Sequence, residues 1–317
     1  MTPAARIVVV RLDGIGDALA CVPLLLALRD AGHAVGIVLS DRNAGVFAPG
    51  VFVARHVLER IPWPRHGSTP ASRAAAEREI AAQRYDVALV ASEEPEAYEL
   101  VAPVRERVGF TTGWAKPLKS LWVRRQTTRT IHRAASAGRD ATHEVDVLLR
   151  LARDLVPARA ETDPLRLRTL LAVAATPPAR AGIAVQLGAK WRTIGVADTT
   201  LARALAPLRA RGARFLAAPG EAAAVAAAFP DFAIDVPATT AAWLAAIDGA
   251  AALVSPDTGA AHAAGMLGVP VVDAFPDAHF SVQTHRWRPW ASAGVVVRAS
   301  EIAKAPDTLL VTALDAL

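Results

Sequence analysis

Two acids flank a glycine turn in "RLDGIGDALACVP", residues 11–23, and they are the first residues here whose types and spacing could do chemistry. The turn follows the apolar run "RIVVV" directly, so it sits where a buried strand gives out. A structural turn needs Gly14 and Gly16 and at most one capping acid, so the pair Asp13 and Asp17 points to a carboxylate with a task, such as accepting a proton. A second stretch, "SPDTGAAHAAGMLGVPVV" at 255–272, supplies the opposite chemistry. A strand ends at Pro256, Asp257-Thr258-Gly259 turns, and a helix of small residues begins. Its first amides and positive dipole end suit a phosphate, the alanines leave room for a bulky ligand, and His262 stands one turn in. Read locally, Asp257 serves equally as a helix cap and His262 as a core histidine.

These residues need elements to hold them. "RIVVVRL" reads as a strand, "PLLLALRDAG" as a helix with a glycine stop and "AVGIVLS" as the next strand, which makes a βαβ unit. Pro23 is tolerated only in a first helical turn, so the regular helix is expected to start there, with Asp17 on an irregular lead-in. "YDVALVAS" is a further strand, and "THEVDVLLRLARDL" is a helix behind a Thr or His cap. The proline-rich "VPARAETDPLRLRTLLAVAATPPARAG" is read as a linker. Strand and helix signals then alternate to the end. The expected organisation is two doubly wound α/β domains of Rossmann type facing each other across a cleft, 1–165 followed by linker to about 180, and 181–317.

Composition bounds the function. With 317 residues, 53% hydrophobic and 21% charged, the chain can bury two cores. Its apolar stretches are broken before they reach the roughly 20 residues that span a bilayer. No charged start followed by an apolar run and cleavage site is seen, so no signal peptide is expected. A single cysteine, Cys21, fits a reducing cytosol and a place in the core. The net charge of +5 gathers at 104–133, "VRERVGFTTGWAKPLKSLWVRRQTTRTIHR", where Arg124, Arg125 and two tryptophans suit an anionic membrane surface, a phosphorylated glycolipid or nucleic acid, or a solvated basic loop. The dinucleotide fingerprint G-x-G-x-x-G fails because Leu19 stands where its third glycine belongs, although Asp41 resembles that motif's ribose-binding acid. Glu221, after the "AAPG" strand end, could hold ribose hydroxyls or be a first-turn acid.

Taken together, "RIVVVRLDGIGDALACVPLLLALR", "HEVDVLLRLARDL", "GIAVQLGAKW" and "VSPDTGAAHAAGMLGVPVV", in that order, resemble glycosyltransferase family 9, the ADP-heptose:lipopolysaccharide heptosyltransferases. The resemblance implies a GT-B fold, with acceptor bound by the first domain and nucleotide-sugar by the second. It implies inverting transfer without a metal or other cofactor, ADP-heptose as donor, and Asp17 as the catalytic base. It places a cation for the diphosphate in the "GAKWR" loop, where Lys190 and Arg192 compete, and Asp257 on the sugar hydroxyls. Thr258, Gly259 and His262 complete the donor set. Asp13, Gly14 and Gly16 lie on the acceptor side, with Arg124 and Arg125 toward an anionic glycolipid or glycan at the inner face of the cytoplasmic membrane, ranked above nucleic acid. Where relatives carry a "GPT"-like phosphate loop this chain reads "FPDAHFSVQTHRWRPW", so either the donor geometry is altered or His279, Arg286 or Arg288 is expected to fill the gap. The other readings are a nucleotide-sugar epimerase, a nicotinamide oxidoreductase, or a catalytically silent nucleotide- or carbohydrate-binding relative. The last helix, "DTLLVTALDAL", is expected to pack back on the first domain.

Overall fold

The computed structural model describes residues 4–62, 67–134 and 141–317. The chain divides into two compact units, Met1–Glu161 and Thr162–Leu317. In the first, β1 (Arg6–Arg11) is followed by α1 (Ile15–Ala20), α2 (Val22–Asp30), β2 (Ala34–Ser40), β3 (Ala54–Leu58), α3 (Pro70–Gln83) and β4 (Val87–Val90). Then come α4 (Pro95–Leu100), β5 (Glu106–Thr111), α5 (Pro117–Gln126), β6 (Arg129–His132) and α6 (Glu144–Leu149). The strands make one sheet in the order β3-β2-β1-β4-β5-β6, and every pair in it is parallel. β-Branched residues on both faces of β1 suit a strand covered on each side by helices, and Ile7 to Val10 are fully buried. The chain winds outward from β1 in one direction and from β4 in the other, so the loops leaving β1 and β4 diverge. That divergence opens a crevice at the carboxyl ends, where doubly wound sheets bind ligands.

The second unit repeats the plan. It comprises α7 (Pro164–Leu167), β7 (Ile183–Gln186), α8 (Lys190–Thr193), α9 (Asp198–Ala210), β8 (Arg214–Leu216), α10 (Ala222–Ala228), β9 (Ile234–Asp235) and α11 (Thr240–Asp248). It continues through β10 (Ala252–Pro256), α12 (Gly259–Leu267), β11 (Val271–Phe275), α13 (Phe280–Trp287), β12 (Gly294–Arg298), α14 (Ala299–Lys304) and α15 (Leu309–Asp315). The parallel order is β12-β11-β10-β7-β8-β9, and the winding reverses between β7 and β10. The loops after β7 and β10 carry Lys190 and Asp257-Thr258-Gly259 respectively. Among the described residues no helix is long and apolar enough to cross a membrane.

Two expectations are corrected. Asp17 lies within a helix, the short α1, and not on an irregular lead-in. Pro23 does open a new helix, α2, but it interrupts a helical path already begun: without an N–H it cannot continue the ladder of α1, and the chain is re-aimed at Cys21. The stretch read as linker is structure from Thr162 onward. Asp163 caps α7 by accepting from the Leu165 amide at 2.9 Å, and Leu167, Leu170 and Leu171 are buried. Arg168 is 2% exposed and makes a forked pair with the equally buried Asp248, at 2.7 and 3.3 Å. So short an apolar run has no period to read, and its place is set by tertiary contacts. Within the second unit, α15 puts Leu310 and Ala313 into the core, against α9 and β11.

Candidate functional site

The first unit builds its half of the site at the crevice between β1 and β4. Arg11, the last residue of β1, is 3% exposed. Its guanidinium donates to the Ala91 carbonyl just past β4 and to Asp17 Oδ1 on α1. Its Nε also faces Asp13 Oδ2 at 3.1 Å. Burial disfavours the charge, but Asp17 above all, then Asp13 and Glu144 of α6, outweigh it and hold Arg11 protonated. Asp13 Oδ2 accepts from Ser92 Oγ at 2.7 Å, which ties the loop after β1 to the loop after β4. Asn43, wholly buried, donates to the carbonyls of Arg11 and Asp13 at 3.1 and 2.8 Å and so fixes the backbone between them. Gly14 is the extended N-cap of α1, and Gly16 falls in its first turn. Asp17 keeps 34% of its side chain in contact with solvent, enough to meet a substrate while one oxygen stays anchored. Cys21 lies at the break between α1 and α2, fully buried, with burial pushing its thiol up to about 12, so it is inert at neutral pH.

The basic segment at 104–133 is not one loop but β5, α5 and β6. Arg107 caps backbone carbonyls of Gln126 and Val104, and Arg133, 7% exposed, pairs with Glu144 at 2.8 Å and Glu93 at 3.2 Å. Trp122 packs edge-on against Tyr98, with centroids 5.4 Å apart. What faces outward is Arg124 and Arg125 beside Trp114, Leu118 and Leu121, the last three 95%, 83% and 50% exposed.

The second unit sets its residues around the crevice between β7 and β10. Trp191 is fully buried and donates from its indole to the Gln186 carbonyl at 2.8 Å, which pins the loop that carries Lys190. Glu221 Oε1 accepts from the Ala189 amide at 2.8 Å, so this acid, expected on ribose or as a first-turn acid, also braces that loop. Thr258, not Asp257, is the N-cap of α12: its hydroxyl accepts from the Ala260 amide and is bonded to Ser255 Oγ at 3.0 Å. Gly268, at φ +70°, ends α12 in the left-handed conformation that suits glycine. His262 is 7% exposed, stacks edge-on with Trp287 at 5.7 Å, and brings Nε2 to 3.8 Å from Asp257 Oδ1. Arg192 is exposed and pairs with Asp198 at 2.9 Å. Lys190 is instead half-buried within the electrostatic reach of Asp273, which distinguishes the two cations. Of the substitutes for the missing phosphate loop, His279 and Arg288 are exposed at the two ends of α13 and Arg286 is buried within it.

Two residues carry weight that the sequence reading did not give them. Arg11 was visible only as the end of a strand, and a charged residue closing an apolar run just before two acids was the available signal. Asp273, on β11, is fully buried, and neither carboxylate oxygen has a hydrogen-bond partner among the described residues. The strand register places it beside Ser255. Burial first, and then repulsion from Asp257, push its carboxyl far above the usual range against the opposing pull of Lys190.

No protein-family model matches the chain, and no curated protein matches it in sequence. Solved structures do match over both units. A glycosyl transferase family 9 protein from Veillonella parvula DSM 2008 aligns with a TM-score of 0.71 at 15% identity, covering 100% of this chain and 98% of that one. The E. coli heptosyltransferase WaaC with ADP aligns with a TM-score of 0.71 at 19% identity, over 98% and 99% of the two chains. E. coli ADP-heptose lps heptosyltransferase II aligns with a TM-score of 0.67 at 13% identity, over 98% of each. The chain therefore has the two-domain α/β fold of these GT-B structures.

Proposed function

We propose that the protein is an inverting glycosyltransferase that moves a sugar, heptose from ADP-heptose, to an anionic glycolipid or surface-glycan acceptor. The observation that supports this best is the pairing of opposite chemistries at two equivalent positions of the fold: a solvent-facing carboxylate on a buried cation at the crevice of one sheet, and a helix N-terminus with a lysine at the crevice of the other. In this reading Asp17 takes the proton of an acceptor hydroxyl as that oxygen bonds to the anomeric carbon. The anomeric carbon–oxygen bond to the diphosphate breaks on the opposite face, and its electron pair leaves with the nucleoside diphosphate. Because proton transfer follows bond formation, an ordinary carboxylate suffices as base. The growing charge on the diphosphate is met by fixed donors: the first amides of α12 beyond Thr258 and Gly259, Lys190 and His262. Asp257 takes the sugar hydroxyls, and no metal or cofactor enters any step.

The acceptor side comprises Asp13, Gly14 and Gly16 with Arg124 and Arg125. The exposed Trp114, Leu118 and Leu121 beside those arginines suit the face of an anionic bilayer, on which an otherwise cytoplasmic protein would rest. A panel of nucleotide-sugars and nicotinamide dinucleotides, each tested for a rise in melting temperature, checks the proposal. ADP-heptose or another nucleotide-sugar is expected to stabilise the protein, since a ligand at 100 times its Kd adds about 2.7 kcal/mol. Stabilisation by a nicotinamide dinucleotide alone would reverse the assignment.

A further inference from the structure

Beneath the crevice of the second sheet lies a carboxyl group that the reaction above does not employ. Val272 and Ala274 enter the core shared with α9, α14 and α15, so strand alternation turns Asp273, between them, to the opposite face, where α12 packs. Its register partner Ser255 stands next to last in β10, where that strand gives way to the loop leading into α12. Asp273 is fully buried, and neither of its oxygens meets a donor among the described residues. The Ser255 hydroxyl does not serve it, being engaged with the Pro256 carbonyl at 2.7 Å and Thr258 Oγ1 at 3.0 Å. The charges that bear on Asp273 are Asp257, which repels it, and Lys190, which attracts it. Its ionised form therefore leans on the same ammonium that stands ready for a diphosphate.

On the reading that this crevice receives the diphosphate of a nucleotide-sugar, we propose that nucleotide binding takes up a proton from solvent and that Asp273 holds it. The diphosphate and Asp273 compete for one cation. An arriving diphosphate engages Lys190 and brings negative charge of its own, so it removes the attraction that favours ionised Asp273 and adds a repulsion. Two anions beside one cation in a buried setting do not both stay charged. The diphosphate of a nucleotide-sugar has no proton to gain near neutral pH, which leaves Asp273 to take one. Burial, which already raises this carboxyl, sets the exchange above the ordinary carboxylate range. The other ionisable groups on elements packed against β11 are placed differently. His262 of α12 faces Asp257 and Trp287, Arg298 of β12 lies over the Phe280 ring at 4.0 Å, and Asp315 of α15 pairs with Arg211 at the surface. On α13, His285 donates to the Ser281 carbonyl and Arg286 is buried.

Calorimetric titration of the full chain with ADP-heptose, from about pH 6 to about pH 9 in buffers of different ionisation enthalpy, counts the protons taken up. The expected result is an uptake approaching about one proton per nucleotide, with affinity falling up to about tenfold per pH unit over the same range. Asp273→Asn keeps the shape without the charge, and it is expected to abolish the uptake and hold affinity level with pH, which a merely structural role would not do. Infrared spectra of wild type labelled at the aspartate carboxyls give a second reading that needs no variant: a protonated-carboxyl band that grows when ADP-heptose is added. Binding to wild type without proton uptake anywhere in the range, or uptake that persists in a folded Asp273→Asn protein and so belongs to another group such as His262, would overturn the coupling while leaving the nucleotide site in place. No binding of ADP-heptose at any pH would overturn the donor reading itself, and the coupling with it.

Discussion

Gly188→Ala is a small change with a calculable consequence for the donor-side loop. A Cβ at this position would stand 2.5 Å from Glu221 Oε2, 3.2 Å from its Cδ and 3.3 Å from Oε1. Non-bonded carbon and oxygen settle roughly 3.5 Å apart, so the carboxylate must retreat by about 1 Å. That movement breaks the 2.8 Å bond from the Ala189 amide to Glu221, immediately before Lys190. At an exposed site such a bond contributes about 0.5–1.5 kcal/mol. Residue 188 also has φ +157°, where a side chain adds strain of about 1–3 kcal/mol. Urea unfolding should therefore show a loss of about 1.5–4.5 kcal/mol. If the loop presents Lys190 to a diphosphate, calorimetric titration with ADP should show affinity reduced about 2- to 12-fold. Glu221→Ala removes the same bond without the strain, so it should match the loss in ADP affinity but not the loss in stability. Wild-type ADP affinity in both variants would refute the idea that Glu221 braces a nucleotide-binding loop.

Three further outcomes are expected. Because the buried Asp273 carboxyl is raised in the folded state, its contribution to stability is complete below the ordinary carboxylate range and is lost as pH climbs toward the raised value. Asp273→Asn should therefore gain on wild type by about 1.4 kcal/mol per pH unit above roughly pH 4 in urea melts, and parallel stability curves would contradict the assignment. Arg168→Ala leaves the buried Asp248 with only the more distant Arg180, at 3.6 Å, and should cost up to about 3–5 kcal/mol of unfolding free energy, with most of it recovered in Arg168→Met/Asp248→Leu; a cost under about 1 kcal/mol would show the pair to be dispensable. Arg124→Gln/Arg125→Gln should weaken co-sedimentation with phosphatidylglycerol vesicles roughly 20- to 30-fold at low salt, at about 1 kcal/mol per arginine, and unchanged binding would remove α5 from the membrane-facing role.

The elements with a strong period were legible from the sequence: "RIVVV", "AVGIVLS", "VPVVDAF" and the helices of the second half lie where hydrophobic spacing put them. What escaped shares one cause, the absence of a local pattern. β3, "ARHVL", does not alternate in sequence because its buried face carries His56 and its exposed face Val57. α7 is a four-residue helix, and Arg168 directly after it pairs with Asp248, 80 residues away. α13 was hidden by the irregular "FPDAHFSVQTHRWRPW", whose histidine at residue 279 takes a left-handed conformation that composition does not announce. Among the candidate site residues, Asp13, Asp17, Lys190 and the Asp257–His262 run could be picked out because glycine turns next to apolar runs mark strand ends. Asp273 could not, since it lies within a strand and its importance comes from the lack of partners among the described residues, and Arg11 showed only as a charge closing an apolar run. Arg192 and Lys190 looked equivalent on a loop and separate only through their tertiary partners, Asp198 engaging Arg192 and the buried Asp273 lying within reach of Lys190.

The claim on which the rest depends is that Asp17 accepts the acceptor's proton and has no part in holding the nucleotide. The direct measurement is a single-turnover comparison of wild type and Asp17→Asn, using whichever nucleotide-sugar stabilises the protein most, with release of the nucleoside diphosphate followed by rapid quench and its affinity measured alongside. The expected result is affinity within about twofold of wild type and release slowed by about 10²–10⁴. Release at the wild-type rate from a folded Asp17→Asn protein would contradict the account.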